Sequence, residues 1–502
     1  MDTKLYSVAQ IRAIERSAQA GLAPGALMRC AGEAASAYAL ELLGGFPTGT
    51  VLVLAGPGNN GGDALEVAAN LANLGVQVEV VHLAGAAPSP EAARALERAR
   101  ASRARFVDEV AGGRHWCLVV DGLFGIGLAR PLSGRARELA ELAGGMDCPV
   151  LALDVPSGLD ADTGAVVGPD GAAVCASHTI TFLGNKPGLH TGDGCDYAGR
   201  VHVSSLATDG LHGEAAQARL NGPPSFARAL APRRRNTHKG SFGDVAVVGG
   251  ARGMAGAAML AARAALYAGA GRVFAATLDA GLGVDPQQPE IMFRDAAGFD
   301  FQGRTAVAGP GMGDTPAAER LLQKILDGDG PLLLDADALN LVAASPALQE
   351  RVRAHQGPVV LTPHPLEAAR LLGVTAAIVQ ADRLEHAREL AMRLDAVAIL
   401  KGAGSVIARP DGEVAINTTG NPGLATGGTG DVLAGLCGAL LAQGWPAWEA
   451  ALSAAWLHGM AADRLVEDGI GPIGLVAGEL PRAIRAELNA LAAQGARLGG
   501  ER

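Results

Sequence analysis

VLVLAGPGNNGGD, residues 51–63, decides the architecture of the first half of the chain. An apolar run, VLVLAG, leads into a glycine loop, and a helical pattern follows over about residues 64–74. An apolar run of this length reads as a strand buried on both faces. A strand that turns through glycines into a helix is the opening unit of a parallel sheet covered by helices. The helix directs its amide groups and positive dipole end at the loop, which suits a phosphate or pyrophosphate. The glycines allow positive φ angles and close approach of a ligand. Their spacing is not GxGxxG, so a plain dinucleotide dehydrogenase fits poorly.

The same rhythm continues on both sides of this stretch. Helical patterns cover residues 8–19 and 24–43, and further strands are predicted at 76–83, 117–125, 150–158 and 178–183. The segment 206–235, with NGPP and PRRRN, breaks the alternation and is expected to hold the domain boundary. Alternation restarts at DVAVVGG, residues 244–250, followed by a small-residue helix over 255–269. Strands are predicted within 272–277, 305–311, 331–339, 358–363 and 396–404, and the Asp-Gly turn within 405–420 predicts a hairpin. The expected fold is α/β in two domains, residues 1–220 and 221–502, each built on its own sheet. No residue-level repeat relates them.

Composition bounds the function classes. The chain has 502 residues, 49 % of them apolar, which is ample for two cores and argues against disorder. Its net charge of -10 gives no basic nucleic-acid footprint. Neither a signal peptide nor an apolar run long enough for a membrane span is read, so a cytoplasmic location is expected, with no membrane partner. The six cysteines are scattered without a CxxC pair and are expected to be small buried residues rather than zinc ligands or disulfides.

In the first half, polar groups stand at three strand ends. Asn59, Asn60, Gly61, Gly62 and Asp63 form the loop-to-helix turn. DGLFGIGLARP places Asp121 at a strand end before a second glycine loop, and LDVPSGLD places Asp154 and Ser157 at a third. Ligands of open parallel sheets bind outside these carboxyl ends. Oxygen donors such as Asn60, Asp121 and Ser157 suit an alkali or alkaline-earth cation better than a soft metal.

In the second half the strongest motif is NPGLATGGTGDVLAG, residues 421–435. Asp431 opens an apolar helix behind a glycine turn, beside a cluster of helix amides. That arrangement serves phosphoryl transfer: the amides stabilise the moving phosphoryl group, and the carboxylate takes the acceptor's hydroxyl proton.

GPGNNGGD, DGLFGIGL and DVPSGLD, in this order, resemble the epimerase domain of the bifunctional NAD(P)H-hydrate repair enzymes, a Rossmann-like fold. HKGSFGDVAVVGG, GPGMG, DADALN, TPHPLE, KGAGS and the GGTGD stretch resemble the ribokinase-like ADP/ATP-dependent NAD(P)H-hydrate dehydratases, over about residues 232–481. The resemblance implies an isomerase joined to a lyase. The first domain would interconvert the R and S forms of hydrated NADH and NADPH (NADHX and NADPHX). The second would dehydrate the S form at the expense of ADP, with Mg²⁺ on the donor phosphates.

It also implies roles by position. Asn60, Asp121 and Ser157 would hold K⁺. The nucleotide would contact residues 59–63, Asp154, Gly125, Ile126 and Gly127, and also Leu128, Ala129, Arg130 and Pro131. Asp154 would transfer protons, and Lys186 would balance phosphate charge. In the second domain Ala257, Gly313, His364 and Asp431 would contact the hydrated nucleotide, while Lys401, Gly402, Ala403, Gly404, Ser405 and Gly430 would contact the adenine nucleotide. A homo-oligomer is expected.

Three positions depart from the family pattern: Ala64 and Leu366 replace glycines, and Glu66 replaces an apolar residue. Ala64 is expected to tighten packing, Leu366 to narrow the pocket beside His364, and Glu66 to point outward. The alternative reading is a ribokinase-like small-molecule kinase with a non-catalytic N-terminal module.

Overall fold

The computed structural model describes residues 3–45, 48–85, 88–206, 215–230, 233–279, 281 and 283–499, with side chains to 493. The chain divides into two compact units, Met1–Arg219 and Leu220–Arg502. Parts of the expected boundary segment, 207–214 and 231–232, lie outside the described residues.

In the first unit the strand Thr50–Ala55 is buried along its whole length. It pairs in parallel with Gln77–His82 on one side and Trp116–Gly122 on the other. The sheet extends through Arg105–Phe106 at one edge and through Val150–Leu153, His178–Phe182 and Arg200–Ser204 at the other, all in parallel. The chain therefore winds outward from Thr50–Ala55, returns, and winds out the other way. The switch point lies between the carboxyl ends of Thr50–Ala55 and Trp116–Gly122, where such sheets open a crevice.

The helix after the first strand starts earlier than its pattern suggests, at Asn59 rather than near Ala64. Glycines obscure periodicity, and packing explains why the two helical positions Gly61 and Gly62 are glycines. A Cβ at Gly61 would lie 1.9 Å from the carbonyl oxygen of Gly56, and one at Gly62 would lie 2.6 Å from Met28 Cε. Asn59–Asp63 are thus the opening turn of the helix, whose first intrahelical bond runs from the Gly62 amide to the Gly58 carbonyl at 3.1 Å.

In the second unit seven strands run in parallel, in the order Met292–Asp295, Arg272–Thr277, Asp244–Gly249, Thr305–Ala308, Leu332–Leu334, Val359–Leu361, Val397–Leu400. Val406–Ala408 and Val414–Ile416 add the expected antiparallel hairpin. The helices Ala255–Tyr267 and Thr429–Ala442 cover one face. They approach closely because both are rich in small residues: a Cβ at Gly435 would lie 2.0 Å from the Ala261 carbonyl oxygen.

Among the described residues no helix is long and apolar enough to cross a membrane. The cysteines depart from expectation. Cys437 is buried, but Cys175 and Cys195 are exposed: Cys175 lies in irregular backbone before the strand His178–Phe182, and Cys195 lies on the short helix Gly194–Tyr197.

Candidate functional sites

In the N-terminal unit the three predicted strand ends converge. Asp121 is fully buried. It accepts hydrogen bonds from the Ser157 hydroxyl at 2.7 Å, the Ser157 amide at 2.8 Å and the Leu123 amide at 3.1 Å. Burial pushes its carboxyl up to about 6, opposed by those hydrogen bonds. Ser157 Oγ also accepts from the Phe124 amide at 2.8 Å, which ties the Gly125 loop to the third strand end. A Cβ at Gly125 would sit 3.0 Å from Asp154 Oδ2 and 3.3 Å from Asn60 Cγ. Asn60, Gly125 and Asp154 therefore meet at one point.

Both polar atoms of the Asn60 side chain are buried without a hydrogen-bond partner. Such orphaned groups are rare and mark a place for a ligand. Asn60 Oδ1, Asp121 and Ser157 are oxygen donors, a chemistry that fits an alkali cation. Asn59 is directed elsewhere, accepting from Ser89 Oγ at 2.7 Å. Asp63 is pushed well above the usual carboxylate range, first by burial and then by the charges of Asp154 and Glu15. Gly127, Ala129, Arg130 and Pro131 lie exposed on the loop after Asp121, with Ile126 and Leu128 half-buried.

Lys186 differs from its expected role. It is fully buried, and its ammonium donates to Asp154 Oδ1 at 2.6 Å, Thr181 Oγ1 at 2.7 Å and the Phe182 carbonyl at 2.9 Å. All three donors are spent, leaving none for a phosphate. Glu66 does not point outward either. It is buried against Gly32, where a Cβ would clash, and it pairs with Arg98. Ala64 tightens packing as expected: a Cβ at Gly122 would lie 2.4 Å from its methyl.

In the C-terminal unit the site lies at the carboxyl ends of successive strands. Asp335 ends Leu332–Leu334, His364 follows Val359–Leu361, and Lys401 ends Val397–Leu400. Lys401 Nζ donates to Asp335 Oδ1 at 2.8 Å and lies 3.9 Å from Glu367 Oε2. Burial pulls the lysine down, but Asp335 and Glu367 outweigh it, and the net shift is upward. Asp431 stands in the first turn of Thr429–Ala442, behind Gly428 with φ 94°. A Cβ at the intervening Gly430 would lie 3.3 Å from Lys401 Nζ. Burial pushes the Asp431 carboxyl up to about 7; Asp335 adds to this and Lys401 opposes it. Gly313, at φ 74°, donates its amide to Asp337 at 2.8 Å. Ala257 lies in the first turn of Ala255–Tyr267 against Gly311.

His364 caps a helix. Its Nδ1 accepts from the amides of Leu366 and Glu367 at 3.1 and 3.3 Å, and Nε2 lies 3.3 Å from Glu367 Oε1. Leu366 is half-exposed beside it. Gly402, Ala403, Gly404 and Ser405 form a turn, closed by Ser405 Oγ donating to the Gly402 carbonyl at 3.0 Å. Gly402 carries no side chain because buried Arg383 lies where its Cβ would be. Asp335, Asp337 and Glu367 were absent from the sequence candidates, although DADALN and TPHPLE contain them. Nothing in their spacing distinguishes these carboxylates from helix caps.

Comparison with known proteins follows this division. Residues 24–188 match the model of the YjeF-related protein N-terminus, and residues 245–483 match that of NAD(P)H-hydrate dehydratase. The bifunctional NAD(P)H-hydrate repair enzyme of Escherichia coli K12 is 37 % identical over 438 residues, covering 86 % of this chain and 83 % of its own. That of Coxiella burnetii is 37 % identical over 503 residues, covering 97 % and 100 %. The chain belongs to the bifunctional NAD(P)H-hydrate repair enzymes. The ADP-dependent (S)-NAD(P)H-hydrate dehydratase of Neisseria meningitidis serogroup B is 44 % identical over 281 residues, 55 % of this chain and 95 % of its own. Membership of the repair enzymes does not favour a ribokinase-like small-molecule kinase with a non-catalytic N-terminal module.

Proposed function

We propose that the N-terminal unit epimerises NADHX and NADPHX and that the C-terminal unit dehydrates the S form with ADP as phosphoryl donor. The observation that carries the second half is the Asp431 carboxyl, raised to about 7 at a helix N-terminus beside Lys401. A base poised near the working pH is suited to proton transfer.

In dehydration Asp431 takes the proton of the C6 hydroxyl as that oxygen attacks the terminal phosphorus of ADP, and the bond to AMP breaks. The C6 phosphate then leaves as the N1 lone pair forms the N1–C6 double bond. Loss of a C5 proton restores the dihydropyridine ring. Lys401 and the amides of the first turn of Thr429–Ala442 face the donor phosphates. Mg²⁺, for which the Asp335 and Asp337 carboxylates are hard oxygen donors at hand, neutralises phosphate charge when bound.

In epimerisation Asp154 takes the proton of the C6 hydroxyl as the C6–N1 bond opens to an aldehyde, and returns it to N1. Rotation about C5–C6 and closure on the other face reverse these transfers. K⁺ at Asn60, Asp121 and Ser157 supplies positive charge beside the nucleotide when bound. A cytosolic setting and a homo-oligomeric state belong to the same proposal, and light scattering reads the latter.

The test is to feed mixed NADHX epimers with ADP and Mg²⁺ and follow the return of NADH absorbance. Full conversion is expected. A plateau partway means that only the second unit acts, and no return of absorbance removes the proposal.

A further inference from the structure

Asp154 occupies an unusual backbone position. It follows the strand Val150–Leu153 with φ 66°, in the left-handed region. A non-glycine residue stays there only where its surroundings impose it, and such residues cluster at functional sites. Its amide is fixed by the Ile180 carbonyl at 2.7 Å. One strand over, Leu183 follows His178–Phe182 with φ 65°.

Lys186 joins these two strained strand ends. Its ammonium is anchored on Thr181 and Phe182 from the second strand and reaches across to Asp154 Oδ1. A lysine with no exposed side-chain surface is costly to bury, and an apolar residue would fill the same volume more cheaply. The Asp154 side chain, by contrast, is 14 % exposed. Its Oδ2 accepts a 3.3 Å hydrogen bond from the Ile126 amide and faces Gly125, whose missing side chain leaves the space open. One carboxylate oxygen is thus pinned from behind, and the other is presented to the crevice.

We infer that Lys186 is a positioning residue for epimerisation, fixing Asp154 Oδ1 so that Oδ2 meets the reacting hydroxyl of the hydrated ring. This rests on the proposal that Asp154 moves the proton. The residue acts through orientation, so its loss lowers turnover rather than affinity. A lysine that held phosphate would show the reverse. A purely structural tie would lower folding stability and would not respond to a replacement ammonium.

The experiment uses the full chain without ADP, converting one purified NADHX epimer and separating the two by chromatography. Lys186→Met is expected to lower kcat about a hundredfold, the scale of a misplaced catalytic group, with KM little changed. Lys186→Ala is expected to recover part of that loss when methylamine is added, since its ammonium fits the vacated end. Thr181→Val, which removes one anchor without touching Asp154, is expected to lower kcat to a smaller extent. Dehydration by the same chain controls for folding. An unchanged kcat in Lys186→Met, a rise in KM alone, or a loss that methylamine does not restore overturns the inference. Asp154→Asn separates the two levels: if that variant still epimerises, the proton-transfer proposal itself has failed.

Discussion

Burial and the neighbouring Asp335 push the Asp431 carboxyl up to about 7, while Lys401 pulls it back. The dehydration rate should therefore rise with pH through about 7, as the base form fills. Asp431→Asn is expected to cost about a hundred- to ten-thousandfold in dehydration, the usual scale for a lost general base, and to spare epimerisation. Dehydration at the wild-type rate in that variant would remove Asp431 from the mechanism. The same carboxyl makes a stability prediction. Its folded value lies above the ordinary 3.8, so the folded state holds the proton more tightly than the unfolded chain. Stability from this group is present at low pH and falls as pH rises from about 4 through about 7. Asp431→Asn removes that penalty, so its melting temperature should exceed wild type by a margin that widens between pH 5 and pH 8. A margin that shrinks over that range contradicts the assigned shift.

Helix starts and strand ends carry the next scale. Gly61 sits in the first turn of Asn59–Asn73, pressed on the Gly56 carbonyl. Gly61→Ala should shift that turn away from Gly125 and Asp154, lowering epimerisation while dehydration stays intact, as separate assays of the two reactions would show. In the other unit His458 of Ala447–Glu467 meets the Thr429 carbonyl at 2.9 Å, and burial pushes its imidazole down to about 4. The neutral ring donates to that carbonyl and holds the glycine turn before Asp431. His458→Leu removes this second donor from a carbonyl that keeps its helical bond, and should cost about 0.5–1.5 kcal/mol in denaturant unfolding of this unit. These two elements also mark what could be read in advance. Thr50–Ala55 and its neighbours announce themselves because apolar runs between glycines have few other solutions. Asp121, Asp154 and Asp431 were legible as carboxylates at element ends. The early start of Asn59–Asn73 was not, since glycine weakens helical patterns, and the contacts with Gly56 and Met28 that exclude a side chain at Gly61 and Gly62 leave no local signal of a helix. Nor were the burial of Lys186 and Glu66. Each depends on a partner distant in sequence, Asp154 and Arg98, that no local pattern announces.

At the scale of the whole chain, two sheets carry two sites with separate machinery, Asn60, Asp121, Asp154 and Ser157 in one unit and Asp335, Lys401 and Asp431 in the other. Each set closes its hydrogen bonds within its own unit. The proposed intermediate shared between the reactions is the S epimer, and no residue is common to the two sets. The reactions should then couple through solution. Mixing an Asp154→Asn chain, which keeps dehydration, with an Asp431→Asn chain, which keeps epimerisation, should restore full conversion of mixed NADHX epimers. Each variant alone should fall short: the first should stall when the S form is consumed, and the second should return no NADH. The rate of the mixture should rise with the concentration of either partner, because the epimer must diffuse between chains. A mixture that stalls where Asp154→Asn alone stalls would mean that the S epimer is passed within one chain without release.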